Sequence, residues 1–416
     1  MKIAIIGSGI SGLFACWALN KQHQVTLFEK DTRLGGHTAT HEFEFAGKQY
    51  AIDTGFIVFN DWTYPNFNRF IDHLGVTAED TEMSFSVKNS ETGLEYNGHN
   101  LNTLFAQRRQ LASPKFYHFL YEITRFNKTG KSLLANQDPD LNLSLGDFLK
   151  KYRFSDYFAR NYILAMGAAI WSSGLTAMQA FPLHFFMRFF NNHGLLNISE
   201  RPQWKVIKGG SQRYIDAMRP AIEKNVRLNS HILSVKREQN QVVLQFSDHQ
   251  QSYDQVIFAC HSDQALSLLA DPSVSEQAIL SALPYQKNQV ILHTDTALLP
   301  QRKRAWAAWN YALTAADPDF PTLTYNMNIL QNIKSEHTFC VTLNQTAQIK
   351  TESILAKFEY AHPVYSNESI LAQQKRNQIN GLNNTWYAGA YWYNGFHEDG
   401  LTSALDIVRA MGIEPL

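Results

Sequence analysis

Three glycines near the start of the chain, Gly7, Gly9 and Gly12, stand in the spacing GxGxxG. The first permits a tight turn, the second lets backbone approach a pyrophosphate, and the third lets a helix pack on a strand. Glu29 comes 17 residues after Gly12, where a carboxylate can accept hydrogen bonds from both hydroxyls of a ribose. The adjacent Gly35 and Gly36 allow a second loop to close over the same phosphates. Elsewhere, His261 comes after an apolar run and is either a general base or a partly buried loop histidine. His397-Glu398-Asp399 either moves protons or serves a helix N-terminus. Tyr391, Trp392 and Tyr393 either wall a substrate channel or fill a core. His37 and His41 have metal-ligand spacing only if helical, and the alternation around them says strand, so no metal site is expected. No HExxH, zinc pattern, nucleophile elbow or Walker loop occurs.

The elements needed to position the glycine loop are present. Lys2 to Ile6 is a short apolar run, Ile10 to Leu19 has helical character, and Gln24 to Phe28 is a second β-prone run. His41 to Phe45 alternates, Gly47 turns, and Tyr50 to Val58 returns. Pro65 opens a helix running through Leu74. From Phe85 to Glu200 the chain reads as helices rich in aromatics, an inserted cap whose rings either line a tunnel for an acyl chain or polyene or fill their own core. Within it, Phe181 to Phe190 either touches a membrane surface or is a buried helix. Strand-like runs at Val226–Leu228, Ile232–Val235, Val242–Phe246 and Val256–Ala259 return to the first domain. Val290–His293 and Thr338–Val341 alternate within a second substrate-domain segment. Trp386 to Gly389 is a last strand and Leu401 to Met411 a last helix.

Composition excludes several classes. Of 416 residues, 44% are hydrophobic and 18% charged, and 37 basic residues balance 37 acidic ones. A nucleic-acid partner is therefore not expected. Cys16, Cys260 and Cys340 are scattered and odd in number, which excludes a disulfide framework and fits a reducing cytoplasm. The first residues lack the pattern of a signal peptide. The apolar stretch Tyr162 to Leu175 falls short of the ~20 residues a membrane span needs. A cytoplasmic location is expected, with peripheral membrane contact left open.

NAD and FAD share the glycine unit, and the residues C-terminal to Glu29 distinguish them. Phe28-Glu29-Lys30 through Arg33-Leu34-Gly35-Gly36 resembles the N-terminal signature of the flavin amine oxidase and phytoene desaturase superfamily. The segment Tyr387-Ala388-Gly389 to Gly395-Phe396-His397-Glu398-Asp399-Gly400-Leu401 resembles its closing flavin motif. More narrowly, Asp53 to Asn60, Ala305 to Tyr311 and Gly395 to Gly400 resemble bacterial predicted FAD-binding amine-oxidase-like proteins, which are similar to the N-terminal domain of plant cyclopropane fatty acid synthases.

This resemblance implies FAD as cofactor, with Ser8, Ser11, Lys30, Arg33 and His37 joining the glycine loops around it. It also implies contacts from Thr54, Gly55, Phe56, Ala259 and Gly389, and Ile232 on the adenine side. Backbone at His397 to Leu401 would meet flavin and ribityl, with Phe396 against the ring. In many amine oxidases an arginine occupies the place of His37. Amine oxidases of the superfamily also commonly place a lysine shortly after the strand equivalent to Val256–Ala259, whereas here none occurs before Lys287.

The expected fold is α/β: a discontinuous Rossmann-like FAD-binding domain, residues 1–75, 201–265 and 381–416, with an inserted α+β substrate domain and helical cap, residues 76–200 and 266–380. The expected function is an oxidase, desaturase or double-bond isomerase acting on a hydrophobic substrate, an unsaturated or modified fatty acyl chain. An oxidase of small amines and a non-catalytic flavin-bound subunit of a lipid-modifying partner enzyme are the alternatives. His261, Tyr391, Phe396 and His397 are the catalytic candidates.

Overall fold

The computed structural model describes residues 1–314 and 320–416. Its first strand, Lys2–Ile6, has apolar side chains on both faces: Ile3 and Ile5 join one buried cluster, Ala4 and Ile6 another. A run without alternation is what a parallel strand covered on both sides requires. This strand is central in a five-stranded sheet ordered Val226–Arg227, Gln24–Phe28, Lys2–Ile6, Gln255–Phe258, Thr385–Tyr387, with every pairing parallel. The helix Ile10–Leu19 is buried along its whole length, between the sheet and the C-terminal helix His397–Ala410. On the other face lies the antiparallel meander Ser234–Glu238, Gln241–Gln245, Gln250–Tyr253. This is a Rossmann-like unit built from widely separated stretches of chain.

A second, seven-stranded sheet runs Ile354–Pro363, Tyr285–His293, Cys340–Leu343, Leu323–Asn326, Trp309–Leu313, Phe85–Asn89, Leu94–Asn97. Its last two strands correct the expectation that helices begin at Phe85. Val87 pairs with Tyr311 in parallel register, and Leu94 to Asn97 is buried on all sides between sheet and cap. High aromatic density there reflects a strand buried on both faces. Two smaller shifts concern the glycine-domain end: Ile232 lies in the loop before Ser234–Glu238, and the last helix starts at His397 rather than Leu401.

The cap consists of helices including Pro114–Asn136, Leu145–Lys151, Leu164–Trp171 and Leu183–Asn192. Phe116, Phe119, Phe126, Phe148, Phe158, Phe186 and Phe190 pack on one another in a single cluster. Most of the cap's aromatics thus fill their own core. In Leu183–Asn192 every phenylalanine is buried while His184 and Arg188 face out. Of the two readings of Phe181 to Phe190, the buried helix is the one observed. No helix among the described residues is long and apolar enough to cross a membrane.

One buried ion pair holds the meander to the parallel sheet's flank. Arg237 donates to both oxygens of Glu276 at 2.7 and 2.9 Å, and Tyr387 Oη donates to Oε1 at 2.6 Å. Burial alone would raise the Glu276 carboxyl, but these donors and the Ser273 N–H bring it down to about 2. The pair's stabilisation is therefore present above the unfolded carboxyl's ordinary value of 4.5 and is lost as pH falls through about 2. Arg237→Met leaves a buried carboxylate without its cation and should lower stability by about 3 kcal/mol, read by denaturant unfolding at neutral pH, whereas the double replacement Arg237→Met/Glu276→Leu should recover most of that loss.

Candidate functional site

Gly7, Gly9 and Gly12 form the turn from strand to helix, and the geometry shows why two of them must be glycine. Gly7 sits at φ +104°, and a Cβ on Gly12 would lie 1.9 Å from the Gly7 carbonyl oxygen. The N–H groups opening helix Ile10–Leu19 face a cavity of about 1570 Å³, bounded by both glycine loops, Glu29, Phe56, Phe396 and His397. A helix start with free N–H groups is an anion site, here at the end of a parallel sheet where such ligands bind.

Glu29 is buried and accepts from Ser8 N–H at 2.9 Å, Ser8 Oγ at 2.6 Å and Asp31 N–H at 2.9 Å. The carboxylate is thereby oriented while keeping acceptor capacity for a diol. Arg33 turns to its own loop, donating to Gly36 O at 2.7 Å and Thr38 O at 3.0 Å. It straps Gly35 and Gly36, both at positive φ, beneath Ser8 and against Gly9. Lys30, Ala259 and Ile232 lie on the cavity's rim or wall. A Cβ on Gly55 would lie 2.1 Å from the His37 carbonyl oxygen. Thr54 stays behind the wall, its hydroxyl 2.8 Å from Tyr360 Oη.

The C-terminal segment meets the N-terminal one at this cavity. Ser11 Oγ donates to Gly400 O at 2.7 Å, and Gly389 N–H donates to Ser403 Oγ at 2.8 Å. Glu398 accepts from the N–H groups of Asn66 and Phe67 and so caps helix Pro65–His73. Asp399 accepts from Phe396 N–H at 2.8 Å and caps its own helix; burial raises its carboxyl to about 7. Both acids serve helix N-termini. Leu401 is fully buried in the core behind them. His397 lies on Phe56, rings 3.7 Å apart and 9° from parallel, with Nε2 3.1 Å from Tyr214 Oη. Phe396 stacks on Phe189 of the cap. Tyr391 is buried beside Trp392, on the cavity wall.

His261 reaches the cavity and stacks on Tyr285 at 4.1 Å. Burial, then the neighbouring His37 and Lys30, pushes it down to about 3. It is a neutral ring and a weak proton acceptor near pH 7. Its neighbour His37 is also neutral, brought to about 4 by burial, with its ring 5.4 Å from that of His362. Sequence reasoning missed His362, Tyr360, Trp309, His193 and Trp171, all on the cavity wall. The period-two run Phe358, Tyr360, His362 in one strand was the available signal. His362 has a fixed tautomer. Asn288 Oδ1 accepts from Asn344 at 2.8 Å, so its Nδ2 faces His362 Nδ1 at 3.0 Å, which must accept. Nε2 of the neutral ring then carries the hydrogen. His193 is held likewise, Nδ1 donating to Phe189 O at 3.0 Å.

The residues fit a large ligand with apolar and polar edges. His37 Nε2, Trp309 Nε1, Trp171 Nε1 and Tyr365 Oη are buried without a hydrogen-bond partner among the described residues, and all four residues line the cavity. Such orphans are rare in a finished interior. Lys287, the first lysine after the Gln255–Phe258 strand, is exposed and paired with Glu359 at 2.9 Å.

A family model of flavin containing amine oxidoreductases matches residues 10–328. No curated protein matches the chain significantly by sequence. Among solved structures, the chain is similar to a CLA-producing fatty acid isomerase from P. acnes, with TM-score 0.70, 16% identity and 98% of each chain covered. It is similar to cyclohexylamine oxidase from Brevibacterium oxydans, with TM-score 0.71, 13% identity and 99% of each chain covered. A putative protoporphyrinogen oxidase from Exiguobacterium sp. gives 0.69 at 15%, covering 99% of this chain and 98% of that one. These likenesses establish the fold.

The geometry at Glu29 and among the histidines can be tested directly. Glu29→Ala removes the acceptor and strands Ser8, so dinucleotide affinity should fall by about tenfold to a hundredfold, read by titrating the apoprotein. The depressed histidines bind protons more readily when unfolded, so stability should decline as pH drops below the ordinary histidine value of 6.5 and continue to about 3 for His261, His362 and His397. The melting temperature of His362→Gln should show a shallower decline over that range.

Proposed function

The chain belongs to the flavin containing amine oxidoreductase family, and from that membership we propose that it is an FAD-dependent enzyme whose substrate is an unsaturated or modified fatty acyl chain. The observation that carries the substrate is the wall of the cavity contributed by the cap and the seven-stranded sheet. Met166, Ile170, Trp171, Phe189, Trp309 and Tyr325 form its apolar stretch, while the sheet also places the mutually paired Lys287 and Glu359 on the lining. Against that apolar stretch an ammonium would be desolvated with no carboxylate among the six residues, at a penalty of several kcal/mol. A hydrocarbon chain would gain from the same surface. The absence of a lysine shortly after the Gln255–Phe258 strand agrees with this, and the first one to follow, Lys287, is paired with Glu359. That a structural neighbour is a fatty acid isomerase is in keeping with the same reading.

FAD, when bound, supplies a two-electron acceptor for hydride from a substrate carbon. The protein's part is positioning. Glu29 would hold the ribose, and the start of helix Ile10–Leu19 would meet the phosphates. The start of helix His397–Ala410 presents partial positive charge to whatever lies beside Phe396, favouring negative charge there. The stacked pairs Phe56–His397 and Phe189–Phe396 exclude water. His37, His193 and His362 are neutral and offer directed hydrogen bonds rather than charge.

Mixing the FAD-loaded protein anaerobically with oleate and linoleate should bleach the flavin absorbance if the net reaction is oxidation. If it is isomerisation, gas chromatography of the recovered acids should show moved double bonds without bleaching. Ile170→Arg should abolish either outcome while keeping flavin content. Reduction by simple amines with fatty acids inert would overturn the substrate, and silence towards both alongside a co-purifying lipid-modifying enzyme would favour an accessory role.

A further inference from the structure

The charges of this chain balance overall, yet one surface does not. Between Gly98 and Gln137 the only carboxylate is Glu122 against six cations: Arg108, Arg109, Lys115, Arg125, Lys128 and Lys131. Glu122 is buried, accepting from the N–H and hydroxyl of Ser155. Arg108 and Arg109 donate only to neutral oxygens, those of Asn102, Phe105 and Gly93. Lys115 lies over the Tyr157 ring. The turn Lys303–Ala305 packs beside helix Leu101–Leu104 and adds Lys303 and Arg304. Among the described residues Glu91 pairs with Arg160, Glu95 with Arg302 and the buried Glu122 with Arg125, Glu82 lies 3.7 Å from His99, and Asp156 beside Tyr157 is an exposed acid.

The same surface exposes apolar side chains. Leu101 is 75% exposed, Leu111 52%, Tyr117 49% and Tyr121 58%. Helix Pro114–Asn136 turns Tyr117, Tyr121, Lys128 and Lys131 outward along one stripe, and the Phe105–Tyr117 ring contact ties that helix to the preceding turn. Isolated exposed leucines need no explanation. Leucine and tyrosine interspersed with lysine and arginine that outnumber the carboxylates of residues 98–137 make the surface of an interfacial element, where apolar groups enter the acyl boundary and cations meet anionic headgroups.

We propose that residues 101–131, with Lys303 and Arg304, dock on the surface of a bilayer containing anionic lipid. His99, two residues before Leu101, lines the large cavity, so docking sets the cavity's rim against the source of acyl chains. That use rests on the acyl-chain reading above; the docking does not.

The test is co-sedimentation of the FAD-loaded full chain with phosphatidylcholine vesicles made with or without phosphatidylglycerol. Protein should pellet with the anionic vesicles, barely with the neutral ones, and less at high salt. Arg109→Glu/Lys128→Glu/Lys131→Glu should weaken partitioning on the order of tenfold or more. Leu101→Ser/Leu111→Ser/Tyr121→Ser should remove the part that survives high salt. Unchanged flavin spectra in both variants show that the fold is intact. Wild type that stays in the supernatant, binds neutral vesicles equally well, or binds as before in both variants overturns the proposal. Protein in the pellet is read without turnover, so an error in the substrate assignment leaves this result standing.

Discussion

The hydrogen bond from Ser11 Oγ to Gly400 O joins the two ends of the chain at the cavity. It sets the start of helix Ile10–Leu19 beside the start of helix His397–Ala410, and residues of both starts line the cavity. The first helix has no acid in its opening turn, whereas the second carries Glu398 and Asp399. The partial positive charge of the first is therefore the one left for an anionic ligand. The close approach also dictates a residue type: a Cβ at Gly400 would lie 2.8 Å from Ile10 Cγ2. Sheet order depends on the same junction, since the strand Thr385–Tyr387 must reach the edge beside Gln255–Phe258 to deliver Gly389 and Gly400.

Carboxylates in this region act as structural groups rather than acids or bases. Glu398 closes helix Pro65–His73, Asp399 closes its own helix, and Glu29 orients a loop. Each accepts backbone N–H groups that would otherwise be buried and unsatisfied. Between them the cavity is lined by the imidazoles of His37, His193, His261 and His362 and by aromatic rings such as Trp171, Trp309 and Tyr325. Such a lining suits chemistry in which a bound ring carries the electrons and the protein supplies orientation and dryness.

The nucleotide end was legible because its constraints are local. GxGxxG, Glu29 and Gly35-Gly36 fall within one strand, helix and strand, where backbone geometry alone selects glycine or acid. The closing motif was legible by likeness, although its acids turned out to cap helices. The substrate end was not legible. His362 and Tyr360 come from one strand, Trp309 from another and His193 from the end of a cap helix, so only long-range pairing such as Asn288 opposite Tyr360 brings them together. Strands Phe85–Asn89 and Leu94–Asn97 were hidden for a related reason, because burial on both faces erases the alternation that marks a strand.

The cap illustrates how one composition serves two ends. Its phenylalanines mostly face one another, which fixes the helices without reference to any ligand. The helices Leu164–Trp171 and Leu183–Asn192 reach the cavity through Met166, Ile170, Trp171 and Phe189, and the residues after them add Ser172, His193, Leu195 and Ile198. Two of these, Trp171 and Phe189, also belong to the cap's own core, so the site and the cap's packing share them, whereas Met166 and Ile170 are only partly buried. Relatives sharing this fold at 13 to 16% identity act under names as different as fatty acid isomerase and cyclohexylamine oxidase. A fold shared under such different names leaves the activity to the site, here to the side chains that the cap and the seven-stranded sheet turn inward.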